Sequence, residues 1–291
     1  MNTISSVRVA VVTGASSGIG KATAIGLAKK GWRIIGVGRD LARSAAAEVE
    51  IRAASSGGKV DFLRADFELM SDVARVAAEI AALTDRVDAL INNAGGMRNE
   101  VRLTPEGNEI TFASNHLAPF LLTRRLMPLL RKTAAARPSN SVRVIAVSSS
   151  GHETCPGIDW DDLQLTEDHV APGQTYCLAK LANILFTREL AKRVAADGIV
   201  AQVMHPGVID SNFISHTDAS TQAYIATLAA RSPDEAADTL IWLATSAEAG
   251  EGSGRYFHQR QEVPTAPVAQ DDAAAKRLWE ESENLLAKLG Y

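Results

Sequence analysis

Tyr176 and Lys180 lie four residues apart in a stretch whose pattern predicts a helix from Thr175 to Ala196. Side chains at this spacing project from one face of a helix, so the phenol and the ammonium can lie close together. A nearby ammonium favours the phenolate and lowers a phenol pKa that is ordinarily about 10. Such a tyrosine can exchange a proton with an alcohol or carbonyl oxygen near neutral pH. The spacing is common by chance, so it indicates chemistry only beside other functional groups.

Two further kinds of polar residue could serve the same chemistry. Three serines, Ser148 to Ser150, end the predicted strand "SVRVIAVSSS". A hydroxyl at the carboxyl end of a strand can hydrogen-bond a reacting oxygen, and alternation places Ser149 on the opposite face from its two neighbours. Asn115 lies within a predicted long helix, where an isolated asparagine is more typical of a structural role. These residues point to catalysis only if a cofactor site lies beside them.

The segment "TGASSGIG" contains Gly14, Gly18 and Gly20 between the first predicted strand and the first predicted helix. Glycines there let the backbone turn tightly and approach a pyrophosphate, which is attracted by the free N–H groups and the dipole of the helix start. The Gly-x-x-x-Gly-x-Gly spacing departs from the Gly-x-Gly-x-x-Gly fingerprint, and glycines also mark ordinary tight turns. The location between a strand and a helix favours a dinucleotide site.

Strand and helix patterns alternate along the chain, and these elements must position the residues above. Such alternation implies right-handed crossovers and a parallel sheet covered on both faces. No linker or repeat divides the chain, so we predict one α/β domain, residues 1–291, with a doubly wound (Rossmann), mostly parallel sheet of seven strands. Ligands of such sheets bind beyond the carboxyl ends of the strands. We expect substrate loops at about 150–174 and 208–232, a C-terminal helix at about 271–288 and a long helix from about Glu106 to Arg131.

Composition bounds the class of protein. The 291 residues are 46% hydrophobic and 22% charged, and a chain of this size can bury roughly three quarters of its unfolded surface. The net charge of −4 and the aromatic content of 5% argue against a nucleic-acid partner. Two cysteines, Cys155 and Cys177, indicate reduced thiols in a cytoplasmic enzyme, and neither the cysteines nor the histidines have metal-ligand spacing. Without a run of 18 apolar residues or a leader pattern, we expect no membrane association.

The glycine segment resembles the cofactor turn of the short-chain dehydrogenase/reductase family. Further stretches follow in the order typical of that family, namely "NNAG" at 92–95, "SNHLAPF" around Asn115, "VSSS", "YCLAK" and "HPGVIDS". The segments "NHLAPFLLT", "YCLAKLANILFTRELAKR" and "SGRYF" are more specifically similar to the retinol dehydrogenase-like branch, which includes bacterial carbonyl reductases. The resemblance covers nearly the whole chain and implies an oxidoreductase that uses NAD(P) and a small-molecule carbonyl or alcohol.

The resemblance also implies which residues do the chemistry. The catalytic residues would be Asn115, Ser149, Tyr176 and Lys180, since the catalytic serine of the family is the second after the apolar run. The cofactor-binding residues would be Gly14, Ser16, Ser17, Gly18, Ile19, Gly20, Arg39, Asp66, Asn93, Ala94, Gly95, Tyr176, Lys180, Pro206, Gly207 and Ile209.

Each part of the cofactor has an implied partner. Asp66 would bind the adenine amino group, residues 93–95 would line the adenosine ribose, and residues 206–209 would face the nicotinamide carboxamide. In the reaction so implied, NADPH delivers hydride to a carbonyl carbon while Tyr176 protonates the oxygen. Lys180 would lower the tyrosine pKa and hold the nicotinamide ribose, and Asn115 would hold a water that relays protons.

The segment "RIIGVGRD" bears on the choice between NAD and NADP. Members of the family that prefer NAD end this strand with an acidic residue at the place held here by Gly38. Arg39 follows at the carboxyl edge of the sheet, where a guanidinium would bind a 2′-phosphate, whereas Asp40 suits the N-cap of the next helix. We therefore predict NADP(H) as the cofactor, with a solvated surface arginine as the alternative reading of Arg39.

Several alternatives remain open from the sequence. The chain could instead be an NAD-linked alcohol dehydrogenase, or a binding protein that senses a dinucleotide without turnover. Family members often form homodimers through the helices that hold Asn115 and Tyr176, and an enlarged loop before the tyrosine can block that face. His152 could touch substrate or have no special role, and Cys177 is expected in the core.

Overall fold

The computed structural model describes residues 7–167, 170–209, 222–223 and 227–291, so part of the expected loop at 208–232 lies outside the described residues. The strands are β1 Val9–Thr13, β2 Arg33–Gly38, β3 Val60–Arg64, β4 Ala89–Asn92, β5 Val142–Val147, β6 Ile199–Met204, β7 Tyr256–His258 and β8 Gln261–Glu262. They form one sheet in the order β3-β2-β1-β4-β5-β6-β7-β8. The reversal of strand order between β1 and β4 is the switch point of a doubly wound fold.

Helices cover both faces of this sheet. They are α1 Gly18–Lys29, α2 Leu41–Ala54, α3 Met70–Leu83, α4 Ile110–Phe112, α5 Ala118–Ala134, α6 Pro172–Arg193, α7 Pro233–Thr245 and α8 Asp272–Lys288. Residues of α1, α2 and α7 belong to one buried apolar layer, and residues of α3, α5, α6 and α8 to the other. Because both faces are covered, central strands such as β1 are apolar and buried along their whole length. The predicted α/β Rossmann class is confirmed.

The sheet has eight strands where the sequence predicts seven. β1 to β7 pair in parallel, and β8 pairs antiparallel to β7 at the edge. The connection between β7 and β8 places Gln259 and Arg260 at positive φ, 50° and 62°. Tight hairpins with positive φ ordinarily carry Gly, Asn or Asp. A Gln-Arg turn followed by a two-residue strand therefore leaves no recognisable signal in the sequence.

The long helix predicted from Glu106 to Arg131 is interrupted in the structure. Glu109 is extended and its carboxylate accepts a hydrogen bond from Phe112 N at 2.7 Å, so the helix begins at Ile110. A π-helical turn, Ala113–Leu117, then separates α4 from α5. Residues 106–109 therefore belong to the preceding turn, and the predicted continuous helix was wrong at this point.

Asp40 caps α2 as predicted. The backbone of Asp40 is extended and its carboxylate accepts a hydrogen bond from Arg43 N at 2.8 Å, which satisfies one free N–H of the first turn. The pKa of this carboxyl lies below its ordinary value, chiefly because of that bond. The cap leaves Arg39 as the last side chain before α2 that faces the edge of the sheet.

The C-terminal helix α8 packs on α5 and α6. The Trp279 ring stacks on Phe186 with centroids 5.8 Å apart and meets Phe120 edge-on at 4.7 Å. The Ser282 hydroxyl donates to Leu278 O, so it accepts from His116 Nε2 at 2.8 Å. Within the described ranges, the longest apolar helical windows still fall short of what a membrane crossing requires.

Candidate active site

A cavity of about 530 Å³ opens at the carboxyl edge of the sheet beside the switch point. It brings together most of the residues that the sequence singles out. The predicted site residues on its wall are Gly14, Ser16, Ser17, Gly18, Ile19, Arg39, Asp66, Asn93, Ala94, Gly95, Ser149, Tyr176, Lys180, Pro206, Gly207 and Ile209. Gly20 and Asn115 are not on the wall and lie behind it.

The glycine segment forms the floor at one end of the cavity. Gly14 and Gly18 have positive φ, 68° and 52°, which a side chain would strain. The Ser17 side chain makes no cap hydrogen bond to α1, so the N–H groups of the first turn are open to the cavity. Gly20 supports this turn from behind, since a Cβ there would lie 2.3 Å from Gly14 O. The arrangement is suited to an anion at a helix start.

The three serines after β5 have different surroundings. Ser148 is buried and its hydroxyl donates to Lys180 O at 2.7 Å, while Ser150 is exposed. Ser149 lies on the cavity wall and its side chain hydrogen-bonds that of Tyr176. Among these serines, Ser149 is the one whose hydroxyl meets the tyrosine hydroxyl. The two can therefore hold the same substrate oxygen.

Burial acts on the tyrosine and the lysine in opposite directions. Burial raises the pKa of Tyr176 above its ordinary value, and the Ser149 hydrogen bond only partly offsets this. Burial also lowers the pKa of Lys180 to about 8. The lysine Nζ donates to Val147 O at 3.1 Å and lies 5.4 Å from the centroid of the Tyr176 ring. The predicted lowering of the tyrosine pKa is thus not found, because desolvation outweighs an amine that points to a carbonyl.

Asn115 lies in the π-helical turn and binds backbone. Its Nδ2 donates to Gly96 O at 3.0 Å and Thr111 O at 2.9 Å, and its Oδ1 accepts from Gly96 N at 3.1 Å. Gly95 fills the narrow gap before it, since a Cβ there would lie 2.4 Å from Asn115 Oδ1 and 3.5 Å from Lys180 Nζ. Asn115, which lies behind the cavity wall, and Lys180, which lies on it, therefore both approach Gly95.

Arg39 is on the wall, as predicted, but it is not alone there. Its Nη1 lies 3.1 Å from Glu68 Oε1 and 3.7 Å from Asp66 Oδ1. Arg98 also binds Glu68, at 2.5 Å. Glu68 and Arg98 could not be identified from the sequence, because they lie on different loops and no spacing along the chain connects them to Arg39.

His152 has a structural role that the sequence analysis did not find. It is fully buried, and its Nε2 accepts a hydrogen bond from Ala266 N at 3.2 Å. The proton is therefore on Nδ1, which donates to Ser149 O at 2.8 Å. Cys177 also differs from expectation, since it is half-buried on the cavity wall and accepts from the Thr154 hydroxyl at 3.2 Å. Cys177 also packs against the buried apolar layer that contains α5 and α6.

Comparisons with known proteins agree with this geometry. Residues 8–158 match the family model described as short chain dehydrogenase. Human "Retinol dehydrogenase 13" is 36% identical over 95% of this chain and 83% of its own length, and human "Retinol dehydrogenase 14" is 34% identical over 96% and 86%. The chain belongs to the short-chain dehydrogenase/reductase family. Its similarity to the retinol dehydrogenase-like branch is confirmed by these relatives.

Two solved structures share this architecture. A putative uncharacterized protein from Mycobacterium paratuberculosis superposes with a TM-score of 0.72 at 32% identity, covering 98% of this chain and 95% of that one. The Pseudomonas aeruginosa RhlG/NADP active-site complex gives 0.69 at 27% identity, covering 88% and 96%. The short-chain dehydrogenase described here is thus an oxidoreductase of a family that binds NAD(P). Within its described residues, we find no cluster of three or more His, Cys, Asp or Glu side chains that could hold a metal.

Proposed function

We propose that this protein is an NADP(H)-dependent oxidoreductase that interconverts a carbonyl and an alcohol on a medium-sized, partly apolar substrate. The observation that carries the proposal is the meeting of the Ser149 and Tyr176 hydroxyls in a cavity that continues to the open start of α1. A hydroxyl pair beside an anion-binding helix start suits hydride exchange with a dinucleotide.

The residues present fit such a cofactor. Gly14 and Gly18 keep side chains away from the helix start, and Lys180, whose Nζ now donates to Val147 O, would hold the nicotinamide ribose. Residues 206–209 form the wall on the far side of the cavity, and residues 93–95 the wall nearer β4. When bound, the nicotinamide supplies the hydride.

Side chains of the protein would then bind and protonate the substrate oxygen. Tyr176 keeps its proton because burial raises its pKa, so in reduction it donates that proton to the carbonyl oxygen. Ser149 holds the same oxygen by a hydrogen bond. Lys180 on the cavity wall and Asn115 behind it both lie beside Gly95, and a water joined to both would return a proton to the tyrosine.

Two features support NADP(H) over NAD(H). Gly38 supplies no carboxylate at the position where NAD enzymes of the family carry one, and a Cβ there would lie 2.6 Å from Ser44 Oγ and 3.1 Å from Ser16 Cβ, so an added side chain would have to displace them. Arg39 lies on the cavity wall at the next position. A charged hydrogen bond is worth about 1.5–3 kcal/mol, which corresponds to a preference of about ten- to a hundredfold. An NAD-linked alcohol dehydrogenase is the second candidate.

The test is NADPH oxidation by the purified chain with a panel of aldehydes, ketones, quinones and retinal, with NADH alongside. We expect Tyr176→Phe to lower turnover by about 10²–10⁴ while it keeps its NADPH affinity. Tyr256→Phe is a matched control, since the Tyr256 hydroxyl is buried and has no hydrogen-bond partner among the described residues.

The outcomes separate the candidates. Turnover with NADPH and little with NADH supports the proposal, and the reverse preference supports the NAD-linked alternative. NADPH binding without reduction of any carbonyl would favour a sensing protein. Near-normal turnover of Tyr176→Phe would overturn the assignment of the proton donor.

A further inference from the structure

Three arginines converge on one carboxylate at the adenosine end of the cavity. Glu68 Oε1 lies 2.5 Å from Arg98 Nη2 and 3.1 Å from Arg39 Nη1, and Glu68 Oε2 lies 3.3 Å from Arg102 Nη2. The Glu68 side chain is only 13% exposed. A carboxylate so withdrawn from water depends on its cationic partners.

These side chains come from three loops at the carboxyl edge of the sheet. Arg39 follows β2, Glu68 follows β3, and Arg98 and Arg102 follow β4. Arg39, Glu68 and Arg98 all line the cavity. The ion pairs therefore run across the loops that would border the adenosine ribose.

A carboxylate beside Arg39 would oppose a 2′-phosphate unless other charges neutralise it. Burial alone would raise the pKa of Glu68, but Arg98, Arg39 and Arg102 together hold that pKa below its ordinary value, so Glu68 is ionised. If Arg39 were the only cation paired with Glu68, the two would form a neutral pair, which would attract the phosphate only weakly. Arg98 makes the shortest of the three contacts and so supplies much of the compensation.

The charges around Arg39 and Glu68 show how Arg98 affects this group. Asp66 also lies 3.7 Å from Arg39, and Glu100 pairs with Arg102 at 2.8 Å. Arg39, Arg98 and Arg102 thus face three carboxylates, and the nearby pair of Arg43 and Asp40 is neutral by itself. The Arg64 guanidinium also lies beside the group, since its Nε donates to Arg39 O at 3.2 Å. Loss of Arg98 would remove the cation closest to Glu68 and make the group more negative at the point where a phosphate must enter.

The geometry of Arg39 leaves it free to bind a second anion. Both of its carboxylate contacts in the described part of the chain use Nη1. Nε and Nη2 remain as donors with the geometry that suits a phosphate. Its side chain is 43% exposed, so such an anion can reach it.

We propose that Arg98 is a positioning residue that determines cofactor specificity, because by neutralising Glu68 it leaves Arg39 available to a 2′-phosphate. The inference rests on the proposed use of NADP(H). It assigns to Arg98 no contact with the cofactor. It therefore requires that the effect of Arg98 be exerted through Glu68.

A double-mutant cycle tests this requirement. Dissociation constants of NADPH and NADH are measured by fluorescence titration for wild type, Arg98→Met, Glu68→Gln and the double variant. We expect Arg98→Met to weaken NADPH binding about three- to tenfold, as for the loss of one charge near a partly exposed anion site, and to change NADH binding less than twofold. In the Glu68→Gln background, the same substitution should change NADPH binding less than twofold.

The controls distinguish this inference from the proposed function. Arg260→Met removes an exposed arginine that pairs with Asp238 on α7, and it should leave both constants unchanged. If wild type shows no preference for NADPH, the proposed cofactor is wrong. If wild type prefers NADPH but Arg98→Met weakens NADH equally, or keeps its effect with Glu68→Gln, only the role of Arg98 is overturned.

Discussion

At the scale of single residues, Tyr176 and Lys180 show that two side chains on the same helix face do not necessarily shift each other's pKa values as their proximity predicts. The pair is four residues apart on α6, yet burial raises the pKa of the phenol and lowers that of the amine to about 8. A phenol that keeps its proton is the form needed for reduction. The reverse reaction needs a proton acceptor, which the phenolate form of Tyr176 would supply.

His116 leads to a prediction about acid stability. Burial lowers its pKa from 6.5 to about 3 in the folded chain. As pH falls below 6.5, the unfolded chain binds a proton at this residue and the folded chain does not, so the free energy of unfolding falls. The expected loss is about 3 kcal/mol between pH 6.5 and pH 4. Urea unfolding of wild type and His116→Gln at both pH values measures it.

The free energy of unfolding of His116→Gln should fall less steeply with decreasing pH than that of wild type. A residual slope is expected, because burial also lowers the pKa of His205 to about 4. Glutamine retains a donor for Ser282, so the comparison isolates the titration. An unchanged slope in His116→Gln would contradict the prediction.

The role of a single residue could be predicted from the sequence when its partner is close to it along the chain. Asp40 could be predicted as a cap because its partner is three residues away. Ser149 and Arg39 could be placed on the cavity wall because each follows the end of a strand, and the apolar runs in the sequence show where those strands end. Glu68 could not be predicted, because its partners come from separate loops and meet only in the folded chain.

At the scale of elements, the turn around Asn115 shows why helix periodicity was insufficient. Asn115 and Ser114 both hydrogen-bond backbone carbonyls of the preceding turn, at Thr111 O and Ile110 O. Side chains that compete for these carbonyls favour a local departure from the α-helix. The wider turn directs Asn115 to Gly96, and no apolar pattern encodes that choice.

The attachment of α8 can be tested at Trp279. This side chain is 8% exposed and packs on Phe120 and Phe186, with the Arg193 guanidinium 4.3 Å from its ring centroid. We expect Trp279→Ala to lower the free energy of unfolding by about 3–5 kcal/mol. Lys276→Ala, on the exposed side of α8, is the control and should change it by less than about 0.5 kcal/mol. Equal effects in denaturant titrations would show that α8 contributes little.

At the scale of the whole molecule, α8 covers part of α5 and α6, the region through which the family resemblance suggested that a homodimer could form. The rings of Phe120 on α5 and Phe186 on α6 are buried against Trp279 within the same chain. The enlarged loop before Tyr176 is therefore not the only segment that can obstruct this face. The helix that blocks it is at the far end of the sequence.

We accordingly predict that the chain does not dimerise through this face. Sedimentation equilibrium should give the mass of one chain, 30.9 kDa. Trp279→Ala should increase self-association, because it loosens the cover over an apolar surface. A dimer of the intact chain that dissociates when α5 or α6 is substituted on this face would contradict the prediction.

At this scale, the order of strands and helices along the chain was the most informative feature for predicting the fold. Alternating strands and helices, with crossovers of one hand, leave few arrangements for a parallel sheet, which is why the fold class could be predicted. The eighth strand could not, since Gln261–Glu262 is too short and too polar to form a pattern. Its pairing depends on β7 already being in place.

The hydrogen bonds of His152 have a consequence for chimeric enzymes. Ala266 N, His152 and Ser149 O form one bonded series between the C-terminal quarter of the chain and the residue that meets Tyr176. A chimera whose crossover lies between positions 152 and 266 takes the two ends of this series from different relatives. Such a chimera should keep histidine at position 152 and a residue other than proline at position 266, because the bond from Ala266 comes from its backbone N–H.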